Sequence, residues 1–170
     1  MAHENIETRE VRKMENKYEE HRTRADRIQT DIDTLGSYSS VKTIGCTRYT
    51  YTKEFAQARD YIKREMEQAG LKVREDAVGT VIGRLEGTNP ELPIIMTGSH
   101  FDTVKTGGRY DGTAGVVAAL EVARTMHDEG FRPKRSIEFV ALPEEEGGRF
   151  GSGLMASRAM CGKLYPDELE

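Results

Sequence analysis

Three segments of the sequence place histidine or carboxylate side chains among glycines, and together they have the composition of a hydrolytic metal site. The residues concerned are His100, Asp102, Asp111, Glu145 and Glu146. Imidazole nitrogen and carboxylate oxygen are ligands of catalytic zinc and similar divalent ions, and a further carboxylate beside such an ion can transfer protons. Each residue alone has an ordinary structural explanation, but independent explanations account poorly for their joint occurrence at successive strand ends.

His100 and Asp102 form the first pair. His100 ends an apolar stretch that is typical of a strand, and Asp102 follows two residues later, so both side chains lie on the same side of an extended backbone. A metal-bound imidazole needs an acceptor for its second N–H, and a carboxylate in that position fixes the tautomer. The spacing predicts that Asp102 can brace His100, although a His-x-Asp pair is also common among ordinary surface and core residues.

Asp111 lies between Gly108-Arg109-Tyr110 and Gly112, where a loop passes into a predicted helix. Its two carboxylate oxygens could bridge two metal ions. The alternative is that Asp111 caps the N-terminus of the helix, a frequent role of aspartate at such a position. The sequence leaves both interpretations open.

Glu145 and Glu146 directly follow another apolar stretch. Because neighbouring residues in an extended chain point in opposite directions, we expect the pair to divide two tasks, metal binding and proton transfer. A metal ion lowers the pKa of its bound water toward about 7, and a nearby carboxylate can take the proton as hydroxide attacks a carbonyl and then give it to the leaving nitrogen. The alternative interpretation is that Glu144-Glu145-Glu146 is a solvated acidic run.

Hydrophobic periodicity predicts the elements that position these residues. Helices are expected over residues 1–35, from the N-cap Thr52 to Gly70, over 113–128 and over 152–164. Strands are expected over residues 71–75, 80–85, 93–97 and 136–142, and the first two should pair as a hairpin. The helix over 113–128 is apolar on most of its circumference and should therefore lie buried against a sheet.

The order strand, buried helix, strand indicates a right-handed crossover between parallel strands. The predicted fold class is therefore α/β, with a mixed, partly parallel sheet flanked by helices. In open sheets of this kind, sites form outside the carboxyl ends of the strands, where glycine lets the backbone turn sharply. The glycine-rich segments 98–115 and 143–151 both follow predicted strands and should face one cleft.

The first 35 residues contain neither glycine nor proline, and their apolar residues recur at three- and four-residue steps among many charges. This pattern predicts a helix. The same positions fit a heptad interrupted at His21, so the pattern is compatible with a coiled coil and with an amphipathic helix packed on the domain. We expect residues 1–30 to form a charged helical extension and residues 31–170 to form the domain.

Composition excludes several classes of function. The 170 residues are 36% hydrophobic and 32% charged, with a formal net charge of -4, so no basic surface is available for nucleic acid. No apolar run approaches the roughly 20 residues that span a bilayer, and the N-terminus is too polar for a signal peptide, so we expect no membrane partner and a cytoplasmic protein. Cys46 and Cys161 lack a paired metal-ligand spacing and are expected to be reduced, structural thiols.

The site segments resemble those of a known family. The matching runs are Gly98-Ser99-His100-Phe101-Asp102-Thr103-Val104, Gly107-Gly108-Arg109-Tyr110-Asp111-Gly112 and Glu145-Glu146-Gly147-Gly148-Arg149-Phe150-Gly151-Ser152. They closely resemble the hydantoinase/carbamoylase amidases of the co-catalytic zinc peptidase superfamily, which include allantoate amidohydrolases and N-carbamoyl-L-amino-acid hydrolases. The resemblance runs from about Asp31 to Leu164 and includes Thr47-Arg48 and Gly83-Arg84. It implies a zinc-peptidase (phosphorylase/hydrolase-like) catalytic domain.

The resemblance also implies a role for each site residue. By it, His100 binds one metal ion, Asp111 bridges two, Glu146 binds the other, Glu145 is the general base and Asp102 orients His100. The implied cofactors are two divalent ions, zinc or alternatively manganese or cobalt, which accept similar nitrogen and oxygen ligands.

Thr80 and Glu144 depart from the family, which usually has Asn at the first position and Asp or Asn at the second. Neither is a proposed metal ligand. A bridged pair of ions needs about five protein ligands, of which this sequence offers three. The resemblance implies two further histidines downstream and an inserted lid or dimerisation domain. We therefore expect residues 31–170 to be the N-terminal portion of a catalytic domain whose parent enzyme is a homodimer, and this chain alone to bind metal weakly and hydrolyse little.

The expected reaction is hydrolysis of a linear C–N amide bond in a small carbamoyl or ureido compound. A metallopeptidase of the same superfamily is the nearest alternative, but the runs 107–111 and 149–151 resemble the amidase branch more closely. An alternative of another class is a non-catalytic assembly module, with the helix of residues 1–35 mediating association.

Overall fold

The computed structural model describes residues 23–42 and 44–169 and contains a four-stranded sheet with helices packed on it. The helices are α1 (Ala25–Ser37), α2 (Lys53–Gln68), α3 (Thr113–Asp128) and α4 (Met155–Met160). The strands are β1 (Lys72–Glu75), β2 (Val81–Leu85), β3 (Ile95–His100) and β4 (Ile137–Leu142). A short 3-10 helix follows at Pro166–Leu169.

The sheet is mixed, as predicted, with the strand order β1-β2-β4-β3. β1 and β2 form the expected antiparallel hairpin, and β2 is also antiparallel to β4. β3 and β4 run parallel and are connected through α3, which confirms the predicted crossover between parallel strands. This pairing places the residues that follow β3 and β4 at the same end of the sheet.

β3 extends further than the sequence predicts. The expected strand ended at Thr97, whereas pairing with β4 continues to His100, which lies opposite Leu142. Gly98 permits this close pairing, because a Cβ at that position would lie 1.9 Å from the Val140 carbonyl oxygen. His100 is therefore held on a paired strand, as its position at the end of an apolar stretch predicted.

The helices α2 and α3 pack on the sheet and form the main hydrophobic core with it. α2 begins as predicted at the N-cap Thr52, whose Oγ1 accepts the Phe55 N–H at 3.3 Å. Its predicted apolar face is buried and consists of Phe55, Ala58, Ile62, Met66 and Ala69. α3 has the predicted bounds, and each fully buried aliphatic side chain on it contributes roughly 1.5–3 kcal/mol. That packing fixes the loop before α3 relative to β3.

The first described helix begins later than predicted. A continuous helix over residues 1–35 is wrong at Arg24, whose backbone is extended, and residues 1–22 lie outside the described part of the chain. Arg24 is the N-cap of α1, and its N–H donates to the Glu121 carboxylate of α3 at 2.7 Å. This contact with a distant residue stops the helix from continuing toward the N-terminus.

Beyond Arg24, α1 is an amphipathic helix packed on the domain. Its Ile32 and Leu35 are buried in the main core. This favours the packed helix over the coiled coil for the described residues. The predicted boundary at residue 30 falls within α1, and the division into an extension and a domain stays a prediction.

The last α-helix is shorter than predicted, because α4 covers Met155–Met160 rather than residues 152–164. Leu154 is in the left-handed conformation and donates its N–H to the Glu145 carbonyl at 2.8 Å. Gly153 lies so close to the same carbonyl oxygen that a Cβ would approach it to 2.8 Å. Gly153 and Leu154 therefore pack against the loop after β4 and do not form the first turn of α4.

The two edges of the sheet differ in character. β1 is a charged edge, and its Arg74 pairs with Glu138 of β4 at 3.1 Å. β3, at the other edge, leaves Ile95 and Met96 48% and 45% exposed. β4 is the only neighbouring strand of β3 within residues 23–42 and 44–169.

Both cysteines are free thiols, as predicted, but their environments differ. Cys46 is buried, whereas Cys161 is exposed, so the expectation that Cys161 packs as a structural thiol is wrong. In the described part of the chain, none of the helices combines the length and the apolar composition needed to cross a membrane.

Candidate active site

The candidate segments meet at one end of the sheet. His100 ends β3 and pairs with Leu142 at the end of β4, so the chain leaves the two strands side by side. The segment after β4 carries Glu145 and Glu146, and the segment after β3 leads to Asp111 at the start of α3. The parallel topology thus brings together residues that are distant in sequence.

His100 is held at one ring nitrogen and faces carboxylates with the other. Its Nδ1 lies 3.1 Å from the backbone carbonyl oxygen of Asp102 and 3.5 Å from the carboxylate Oδ1 of the same residue. Its Nε2 lies 3.7 Å from both Asp111 Oδ1 and Glu145 Oε2. An Nδ1–H donated to Asp102 leaves the Nε2 lone pair directed at the acidic side chains. The carbonyl oxygen, rather than the carboxylate, is the nearer acceptor.

The Asp102 carboxylate is buried, and its main partners are backbone amides. Oδ1 accepts the Glu145 N–H at 3.0 Å, and Oδ2 accepts the Glu146 N–H at 3.2 Å. Asp102 therefore joins the loop after β3 to the loop after β4, besides contacting His100. Its role in orienting His100 stays a prediction.

Glu145 and Glu146 do not point in opposite directions, so that expectation is wrong. β4 ends at Leu142, and the chain bends at both glutamates, so the alternation of an extended strand no longer applies. One carboxylate oxygen of each glutamate and a ring nitrogen of His100 all lie within 4.8 Å of one another. Both glutamates therefore face the histidine.

Asp111 is the most exposed of these acidic residues, with 59% of its side chain accessible. It does not cap α3, because Gly112 is the N-cap and no side-chain hydrogen bond closes that helix end in the described chain. Gly112 has a φ of 60°, and a Cβ there would lie 2.4 Å from the His100 ring. Glycine is required here both by the backbone conformation and by the imidazole beside it.

The site concentrates negative charge. Burial raises the pKa of Glu146, and the charges of Asp111 and Glu145 raise it further, against the opposing effect of His100. Burial alone would lower the pKa of His100, but the hydrogen bond and the charge of Asp102 outweigh burial, and its pKa is raised. Within the described ranges, no lysine or arginine lies at ion-pair distance from Asp111, Glu145 or Glu146.

These donors fit a divalent metal ion. Around a tetrahedral ion with ligand distances of about 2.1 Å, neighbouring ligand atoms are roughly 3.4 Å apart. The separation of 3.7 Å between His100 Nε2 and Asp111 Oδ1 is close to that spacing. Asp111 contacts His100 but lies outside the compact group formed with the two glutamates. A cation would also offset the crowded carboxylate charge.

Sequence reasoning missed how the loop of the two glutamates is held. Glu144 is completely buried with a φ of 52°, and its Oε1 accepts the N–H groups of Arg149 and Phe150 at 2.7 and 2.9 Å. Its Oε2 is buried without a hydrogen-bond partner among the described residues. The interpretation as a solvated acidic run is therefore wrong for Glu144. Nothing in a run of three glutamates distinguishes the buried member.

Comparison with known proteins covers the same region. The family model described as Peptidase family M28 matches residues 80–164, half of the chain. An N-carbamoyl-L-amino-acid amidohydrolase of Paenarthrobacter aurescens is 50% identical over 149 residues, which cover 88% of this chain and 36% of that protein. An allantoate amidohydrolase of Bacillus subtilis (strain 168) is 44% identical over 131 residues, which cover 77% of this chain and 32% of that protein.

A solved structure shares the fold. A hydantoinase/carbamoylase family amidase from Burkholderia ambifaria matches with a TM-score of 0.82 at 31% identity, covering 87% of this chain and 36% of that chain. This chain spans about a third of the length of the curated relatives it matches. The family match and the donor set both support use of a divalent metal ion. The chain therefore belongs to peptidase family M28, and its relatives are amidases of the hydantoinase/carbamoylase type, as the resemblance of its site segments predicted.

Proposed function

We propose that this chain is part of a metal-dependent amidohydrolase that cleaves a linear C–N amide bond in a small carbamoyl or ureido compound. The observation that carries the proposal is the position of His100 Nε2, 3.7 Å from the carboxylates of Asp111 and Glu145. This arrangement supports a metal site with a neighbouring carboxylate that can transfer protons. The substrate class comes from the names of the relatives, which act on N-carbamoyl-L-amino acids and allantoate.

Three residues are proposed to hold two divalent ions, zinc or alternatively manganese or cobalt. By this proposal His100 would hold one ion through Nε2, Glu146 would hold the other, and Asp111 would be shared between the two. When bound, such ions act as Lewis acids that polarise a carbonyl and lower the pKa of a water molecule. A bridged pair needs about five protein ligands, so further ligands have to come from elsewhere in the protein.

Glu145 is proposed as the general base. Its carboxylate accepts a proton as water attacks the carbonyl carbon, and it donates that proton to the leaving nitrogen as the C–N bond breaks. Asp102 is proposed as a positioning residue, because it contacts Nδ1 of His100 and accepts the Glu145 N–H at 3.0 Å. It thereby fixes the base relative to the imidazole.

A metallopeptidase is the second candidate, favoured by the description of the matching family. Both reactions use the same donors and the same base, and they differ in the leaving group. Hydrolysis of an N-carbamoyl amino acid releases ammonia, whereas hydrolysis of a dipeptide releases amino acids alone. The products therefore separate the two candidates.

Metal binding is the first test of the proposal. Calorimetric titration of Zn²⁺, Mn²⁺ or Co²⁺ into the metal-free 170-residue chain should show weak binding, which His100→Ala abolishes. Glu146→Gln should also weaken binding, whereas Glu145→Gln should leave it unchanged because Glu145 is assigned to proton transfer. Equal binding by the wild type and the His100→Ala chain would refute the proposed site.

Hydrolysis is the second test and uses the longest in-frame protein that contains these residues. We expect ammonia from N-carbamoyl amino acids or allantoate, and a fall in kcat of about 100-fold or more in Glu145→Gln with the metal retained. Release of amino acids from dipeptides without ammonia from either ureido substrate would assign the protein to the peptidase alternative.

We also propose that the whole protein is a homodimer, as the family resemblance implies. Light scattering of that protein should give twice the mass of its chain. A monomeric mass would contradict this part of the proposal.

A further inference from the structure

A buried arginine lies behind the site and takes no part in the mechanism above. Arg48 is 1% exposed, and in the described part of the chain its guanidinium has no carboxylate at hydrogen-bond distance. Its partners are Phe101 O at 2.6 Å, Leu35 O at 2.6 Å, Tyr38 O at 3.2 Å, Thr113 Oγ1 at 3.2 Å and Cys46 Sγ at 3.4 Å. Burying a cation costs free energy that a neutral side chain of similar size would not cost.

Two of these partners lie next to proposed metal ligands. Phe101 directly follows His100, and Nε of Arg48 binds its carbonyl. Thr113 follows Asp111 by two residues, and its N–H donates to the Asp111 carbonyl at 2.5 Å. A single guanidinium therefore connects the strand end that carries one proposed ligand with the helix start that follows another.

The backbone of Arg48 strengthens the same connection. Its N–H donates to Thr103 Oγ1 at 2.8 Å, and its carbonyl accepts the Thr103 N–H at 3.1 Å. The Leu35 carbonyl belongs to the last turn of α1, where the helix dipole favours a cation. Burial lowers the pKa of Arg48, and the nearby Cys46 Sγ and Asp102 carboxylate oppose that shift.

We propose that Arg48 is a positioning residue of the metal site, whose planar guanidinium sets the separation between His100 and Asp111. The inference rests on the proposed function, since it concerns the same site. The geometry requires the fork of an arginine, because the Phe101 carbonyl, the Leu35 carbonyl and the Thr113 hydroxyl are bound by different nitrogens of one rigid plane. A lysine keeps the charge but not the fork.

The test compares Arg48→Lys with Arg124→Lys in the full 170-residue chain. Arg124 is a matched control, since its side chain is 11% exposed and binds Asp31 and Glu65 away from the site. Co²⁺ titration, followed by its visible absorption, reports affinity and ligand geometry together. Arg48→Lys should weaken Co²⁺ binding about 10-fold or more and change the absorption, as losses around metal ligands do. Arg124→Lys should lower the thermal midpoint and leave Co²⁺ binding unchanged.

A second pair of variants keeps the proposal testable if Arg48→Lys does not fold. Thr113→Val removes the acceptor of Arg48 Nη2, whereas Thr113→Ser retains it. The valine variant should weaken Co²⁺ binding, and the serine variant should restore it.

A readout without metal separates this inference from the proposed function. In the metal-free chain, the ¹⁵N shifts of the His100 ring should change in Arg48→Lys and stay unchanged in Arg124→Lys. If the wild-type 170-residue chain binds no Co²⁺, the proposed weak metal binding by this chain fails, and these shifts still decide the role of Arg48. The inference would be overturned if both Arg48→Lys and Thr113→Val bound Co²⁺ with wild-type affinity and left the ¹⁵N shifts of the His100 ring unchanged. Arg48 would then be a purely structural residue.

Discussion

Acidic side chains gather in two regions of this molecule, and the two regions differ in how their charge is balanced. Between α1, α2 and α3, four acidic side chains each pair with an arginine. The pairs are Arg124–Asp31, Arg124–Glu65, Arg27–Glu121 and Arg27–Asp128, with N–O distances of 2.5, 2.8, 2.8 and 2.7 Å. This region is a structural ion-pair network that ties three helices together.

At the end of the sheet the carboxylates face a histidine instead. Asp111 and Glu145 lie 3.7 Å from His100, and Glu146 belongs to the same cluster. The described chain supplies no lysine or arginine to these three carboxylates. The carboxylates that hold the helices together have cationic partners, whereas the carboxylates at the end of the sheet meet without one, which supports the proposed metal site.

Removing the cation from the paired region should have the largest effect on stability. Arg124→Met leaves the Asp31 carboxylate, whose side chain is 3% exposed, without its ion-pair partner. We expect a loss of about 3 kcal/mol in the free energy of unfolding, measured by urea denaturation. Arg59→Met is the control, because its pair with Asp60 is more solvated and should contribute much less. Equal losses in the two variants would remove the distinction between buried and exposed pairs.

Supplying a cation to the unpaired region should have the next largest effect. At a metal concentration 100 times the dissociation constant, binding to the folded chain adds about 2.7 kcal/mol to the free energy of unfolding. Urea denaturation with Co²⁺ and with a chelator measures this difference. His100→Ala should abolish the gain, and Arg124→Met should retain it. An equal gain in His100→Ala would mean that the ion binds elsewhere.

Neutralising one carboxylate of the unpaired region should have the smallest effect. The pKa of Glu146 is raised in the folded chain, so the folded state holds this proton more tightly than the unfolded state. Its contribution to stability therefore declines as the pH rises from the ordinary glutamate pKa, about 4.3, through the raised value. In the metal-free chain, Glu146→Gln should remove that decline and add less than about 1 kcal/mol at neutral pH, since the site is open to solvent. Urea denaturation at several pH values in this range measures the effect. If the free energy of unfolding changes equally with pH in the wild type and in Glu146→Gln, crowding of negative charge around Glu146 is contradicted.

Apolar periodicity and turn residues predicted the frame of the site. α3 has the bounds that its apolar circumference and Gly130 indicated. Once β3 and β4 are parallel, the residues after His100 and after Leu142 necessarily leave the sheet at the same end. The apolar periodicity of the individual helices and strands, with their order along the chain, was therefore sufficient to predict the parallel pair of strands.

Features that depend on contacts between distant residues were not predictable in this way. The start of α1 is set by the hydrogen bond from the Arg24 N–H to Glu121. The direction of the Glu145 and Glu146 side chains depends on a loop whose amides bind the Asp102 carboxylate. The periodicity of a segment carries no information about a hydrogen bond to a distant residue. The alternation of side chains in an extended strand therefore gave the wrong direction for Glu145 and Glu146.

The outer edge of β3 affects how one molecule of this chain can associate with another in solution. Ile95 and Met96 are about half exposed there, and the described chain places no strand beyond them. An apolar edge of this kind pairs readily with a strand of another molecule, and repeated pairing extends a sheet across many copies. Of the two edges of the sheet, the strand that ends in His100 is therefore the one that is more open to pairing with a strand of another molecule.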